Sequence, residues 1–103
     1  MNRIEKIKEM LQQTGRDSFL EHALALEYIK IGEQSLALET FESLLQREPD
    51  YLGSYYHLGK LYETLCQTEK AITTYEDGMA LAKSIKDMHS FNELRSACDE
   101  LMD

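Results

Sequence analysis

One proline, two cysteines and no tryptophan among 103 residues leave little of the vocabulary from which long loops, disulfide frameworks and large aromatic cores are built. With only five glycines beside that proline, no flexible linker of any length is expected. Cys66 and Cys98 stand 32 residues apart, with no C-x-x-C and no histidine at metal-ligand spacing from either. Both read as free thiols acting as buried small apolar fillers rather than as a disulfide or a metal site. No run approaches the roughly 18 apolar residues that span a bilayer, so no membrane segment is expected. The first stretch carries Arg3, Glu5, Lys6, Lys8 and Glu9 in place of the apolar core of a secretory signal, which makes the cytoplasm the expected location.

Basic side chains are scarce relative to acidic ones, and the formal net charge is −8. The imbalance is uneven: residues 1–16 hold four basic and two acidic side chains, and residues 17–103 hold seven and seventeen. An acidic body repels phosphate backbones and lacks the clustered Lys and Arg that release counterions, which excludes nucleic acid as the expected partner. Solubility is one reading of the excess acid, and a preference for basic peptides or a basic protein face is the sharper one.

What the chain has instead is helical periodicity. Asn2 with Glu5 resembles a capping box, Ile4, Ile7 and Leu11 share one face, and Gly15 supplies a stop, which predicts a helix over 3–13. Asp17 caps the next helix, whose apolar set Leu20, Ala23, Leu24, Tyr28 and Ile31 runs until Gly32. Its partner carries Leu36, Ala37, Phe41, Leu44 and Leu45, and Pro49 forbids continuation. From Leu52 the sequence starts again with Tyr55, Leu58, Gly59, Tyr62 and Leu65, then Thr68 as N-cap and Ala71, Ile72, Tyr75, Met79 and Leu81. Ser90 with Glu93 suggests a last capping box, followed by Phe91, Leu94, Cys98 and Leu101 on one face. No sustained period-2 alternation occurs, and Asp77-Gly78 lies inside a helical pattern, so no strand is expected.

Leu24, Tyr28, Ala37 and Phe41 recur 34 residues later as Leu58, Tyr62, Ala71 and Tyr75. A period of this size marks stacked units, none of which buries its apolar face alone. These residues resemble the tetratricopeptide repeat, whose pattern is W-x2-L-G-x2-Y, an alanine, an aromatic and a closing proline. Residues 52–85 match with Tyr55 in the tryptophan place, and Lys83 replaces the proline; residues 18–51 keep Pro49 and place Glu21 where the tryptophan belongs. Small side chains at Ala25, Gly59, Ala37 and Ala71 let paired helices approach closely. Residues 1–15 fall in the register of a second helix with Arg3 in the alanine place, and residues 88–102 in that of a first helix with Arg95 in the glycine place. The expected architecture is all-α: one domain, an α-solenoid of antiparallel helix pairs with right-handed superhelical stacking, counted as five helices.

The resemblance implies a concave side, formed by the first helix of each pair, that holds an extended peptide or a partner's helix. Mapped from the core stripe by helical spacing, the off-core side of the first pair offers Phe19, His22, Leu26, Ile29 and Lys30, and that of the second offers Tyr56, Lys60, Glu63 and Thr64. Leu26 and Lys60 stand where asparagines would clamp a terminal carboxylate in chaperone-binding relatives, so that ligand is not expected. His22, His57 and His89 belong to no catalytic or metal motif, and two and a half repeats offer little depth for an enclosed site. No catalytic residue, cofactor or metal is expected. The function read from the sequence is a non-enzymatic adaptor for a protein or peptide segment; the alternative is self-association, as a homodimer or a stacked array.

Overall fold

A computed structural model describes residues 2–102. Among them lie six α-helices and no strand: α1 (Arg3–Thr14), α2 (Ser18–Lys30), α3 (Gln34–Arg47), α4 (Gly53–Thr64), α5 (Thr68–Ser84) and α6 (Met88–Met102). The expected count of five is corrected to six: two pairs and one flanking helix on each side, of 12 and 15 residues, one helix for each periodic segment of the sequence. Contacts divide the fold after Tyr51 into two compact units. In the first, α2 packs against both α1 and α3; in the second, α5 packs against both α4 and α6.

The helix ends follow from local chemistry. Asn2 Oδ1 accepts the Glu5 N–H at 2.9 Å and Asp17 Oδ1 accepts that of Leu20 at 3.0 Å, each satisfying a donor that its first turn leaves without a partner. Thr68 does not cap α5: Gln67 holds the cap position without a side-chain bond, and Thr68 is already helical. At α6 the cap is Asp87 rather than Ser90. The Asp87 carboxylate accepts both the N–H and the hydroxyl of Ser90, at 3.1 and 2.8 Å, and an ionised acceptor is the stronger cap.

Three turns close in the same manner. Gly32, Cys66 and Lys86 adopt φ of 83°, 60° and 63°, and the following residue donates its N–H back to Tyr28, Tyr62 and Ala82 respectively. Gly32 and Cys66 occupy the same place in the repeat. Cys66 is therefore exposed, which corrects its expected burial, whereas Cys98 lies in the core as expected.

The core of each unit is the expected stripe. Ala25, Ala37, Phe41 and Leu44 have no exposed surface in the first unit, nor have Ala71, Tyr75 and Ala82 in the second. Gly59 shows why a small residue is needed. A Cβ built there would lie 2.6 Å from Tyr75 Cζ and 2.7 Å from Cδ1, closer than real Cβ atoms come. Gly78 is similarly tight, with Tyr55 Cβ 2.8 Å from such an atom, which explains a glycine inside α5. No helix among the described residues is long and apolar enough to cross a membrane.

Candidate functional site

In the first unit, α2 carries apolar side chains around most of its circumference, a pattern expected of a helix covered on all sides. Yet α1 and α3 cover only part of it. Phe19 is 70% exposed and Ile29 36%, Lys30 is exposed, and Leu26 is half-buried. These four belong to the side that the packing of α2 does not use. His22 behaves differently: half-buried, its ring lies 5.8 Å from that of Phe41 and 5.6 Å from that of Tyr51, so it is wedged into the rim of the core.

Glu21, in the tryptophan place, is held by charge instead of by packing. Its carboxylate meets Arg47 at 2.6 Å and Arg16 at 2.9 Å, and Arg47 also donates to the Ser18 hydroxyl at 3.0 Å. Burial pushes the Glu21 carboxyl upward, but the hydrogen bonds from Arg16 and Arg47 win and leave it below its ordinary value. Ser18 in turn donates to Glu48.

In the second unit, Tyr56, Lys60 and Glu63 are half-buried on α4, and Thr64 is exposed with its hydroxyl donating to the Lys60 carbonyl at 3.1 Å. Lys60 Nζ lies 5.6 Å from the centre of the Tyr56 ring and 3.6 Å from Glu63 Oε2. Glu63 also accepts the hydroxyl of the fully buried Tyr75, whose phenol is pushed far above its ordinary value by burial and then by that carboxylate. Glu63 and Lys60 are thus engaged within the fold. Of this set, Tyr56 also borders a larger open space.

That space is a cleft of about 480 Å³ between the N-terminal parts of α4 and α6, lined chiefly by Leu52, Tyr56, His57, Asp87, Glu93 and Leu94. A shallower hollow continues past Tyr56 and Lys60 to Glu93 and Glu100. Burial holds His57 below its ordinary histidine value, and the bonds from Ser90 hold Asp87 below the carboxylate one. The α6 residues are absent from the set read from the sequence. The repeat register carried their signal: Phe91, Leu94 and Cys98 place α6 among the first-type helices, so its off-core side belongs beside that of α4.

The tetratricopeptide repeat model matches residues 52–85. A tetratricopeptide repeat domain protein from Salinibacter ruber, solved in solution, is 43% identical; the match covers 84% of this chain and 87% of that one, with a TM-score of 0.81. A protein from Bordetella parapertussis superposes over 99% of this chain and 89% of its own, with TM-score 0.86 at 24% identity. The crystal structure of MamA matches 96% of this chain and 56% of its own, with TM-score 0.72 at 22% identity. At the last two identities the likeness concerns the fold. Among curated proteins none matches the sequence.

Proposed function

This chain belongs to the tetratricopeptide repeat family, and from that premise we propose that it is a non-enzymatic adaptor that holds a protein segment on its first-type helices. Residues 18–51 and 52–85 are the two repeats in this reading, flanked by half-repeats at 1–15 and 88–102. Repeats of this family serve generally as scaffolds for protein interaction. The observation that carries the reading is the side of α2 left outside the core, where Phe19 at 70% exposure and Ile29 at 36% flank Leu26. Apolar side chains aligned on one helix outside its packing are what a bound segment would cover.

Each unit contributes its own patch. On α2, Phe19, Leu26 and Ile29 supply apolar contact, with Lys30 at the border; on α4, Tyr56 supplies an aromatic surface. His22, Lys60 and Glu63 act by fixing the patch from beneath, since each is engaged with a neighbour of its own. Affinity capture with the full chain and with a Leu26→Glu, Tyr56→Glu variant tests the reading. Partners recovered by the unmodified chain should be lost from the variant while its circular dichroism and melting temperature stay unchanged. An identical set of captured proteins would refute the assignment.

A further inference from the structure

We propose that the cleft between α4 and α6 receives a cationic side chain, arginine or lysine, of the segment bound by the adaptor; this rests on the scaffold reading above and names the chemistry of its partner. Volume comes first. About 480 Å³ lies inside the roughly 300–1,000 Å³ range of sites that enclose a ligand group, and it suits a long side chain better than a flat contact. The lining is graded in polarity, with Leu52 and Leu94 for an aliphatic stem, Tyr56 along it, and the Asp87 and Glu93 carboxylates for a charged head.

Electrostatics select the sign. His57 is the one titratable base in that lining, and its burial disfavours the protonated form, so it does not neutralise the two acids. The Glu93 side chain is 58% exposed and its distance to His89 Nε2 is 3.7 Å, which leaves the carboxylate accessible to a new donor. The Asp87 oxygens, engaged with Ser90, retain further lone pairs. The body of the protein adds its own field: residues 17–103 hold seventeen acidic side chains against seven basic, which raises the local concentration of cations and repels phosphate or carboxylate ligands.

A second observation concerns the aromatic wall. The Tyr56 ring already accepts an ammonium group from its own chain, with Lys60 Nζ 5.6 Å from its centre. On α4 this ring and the Glu63 carboxylate, 3.6 Å from the same nitrogen, together hold a primary amine. The occupant argued here adds a second cationic group in the cleft that Tyr56 shares with Asp87 and Glu93.

The test begins with an arrayed library of random dodecapeptides screened against the full chain, the binders then titrated into isotopically labelled protein and followed by amide shifts. Binders should carry an arginine or lysine whose conversion to citrulline or acetyl-lysine weakens affinity about tenfold, with the largest shifts at Tyr56, Glu93 and Leu94. Glu93→Gln should produce a comparable loss with little further effect of neutralising the peptide, whereas Glu39→Gln, at an exposed position of α3, removes the same charge and should change affinity less than twofold. Peptides that shift α2 and α4 but tolerate citrulline or acetyl-lysine would overturn the cationic assignment and leave the scaffold reading standing. A library from which no peptide perturbs α2 or α4 would overturn both.

Discussion

Replacing Gly59 by alanine tests what sets the distance between α4 and α5. In an exposed helix this change stabilises by about 1 kcal/mol, because alanine loses less backbone freedom than glycine on folding. Here the added carbon would meet Tyr75 at 2.6 Å from Cζ and 2.7 Å from Cδ1, and the ring has no exposed surface to move into. Its hydroxyl is also bound to Glu63, which pins the far end of the side chain. Overpacking of this kind costs about 1–3 kcal/mol and is expected at the upper end, because α4 and α5 must separate. After the propensity gain, a net loss of about 1–2 kcal/mol remains. Each kcal/mol lowers the melting temperature by about 4–8 °C in a domain of this size, so the shift is well within reach of calorimetry. The first unit shows the permissive arrangement: Ala25 and Phe41 occupy the same two places and both are fully buried. Gly59→Ala combined with Tyr75→Phe frees the ring from Glu63 and should recover part of the loss. A neutral or stabilised Gly59→Ala single variant would refute the reasoning outright.

Three further outcomes follow from other parts of the structure. Acid should destabilise in two stages. His57 has a folded value below its ordinary 6.5, so the unfolded chain takes up a proton first and stability falls as pH drops below 6.5; Glu21 has a folded value below 4.5, so its contribution is present above 4.5 and lost as pH falls through the lower folded value. Urea titrations across this range should show both slopes, the first flattened by His57→Gln and the second by Glu21→Gln. Cys66→Gly should raise stability by about 1 kcal/mol, since φ of 60° costs a side chain but not glycine, and an unchanged urea midpoint would contradict this. Finally, Arg3 stands where Ala37 and Ala71 are fully buried, and Arg95 where Ala25 and Gly59 are. An arginine in that place is bulkier than the small residues that let paired helices approach closely. Arg3→Ala with Arg95→Gly should make the sedimentation coefficient depend on concentration, and the unmodified chain should show no such dependence.

Most of the architecture was legible because it depends on residues spaced along single helices. The 34-residue register located the paired elements, Asn2 and Asp17 were readable as caps, and the small residues at 25, 37, 59 and 71 announced close helix contacts. Features that depend on the meeting of distant residues were not readable. Glu21 in an aromatic place is a mismatch in one dimension; only folding brings Arg47, 26 positions away, to its carboxylate. The candidate site suffered in the same way. Helical spacing named Glu63 as an outward residue, but Tyr75 on the neighbouring helix donates its hydroxyl to it. The α6 side of the cleft is not legible in helical spacing alone, because only folding brings Asp87, just before α6, and Glu93 to the opening beside Tyr56. Leu36 likewise fits the apolar spacing of α3 and is nonetheless 41% exposed.

The unequal fates of the two cysteines make the molecule directly addressable. Cys98 lies in the core with its thiol pushed up by burial, while Cys66 stands exposed on the turn between α4 and α5. A thiol-directed dye or spin label under mild conditions therefore reacts at one place without any mutation. That place is a tight turn whose backbone is held by hydrogen bonds back into α4, so the probe's anchor moves with the helix pair. The native chain thus arrives with its own built-in attachment point, from which distances to a labelled peptide can be measured.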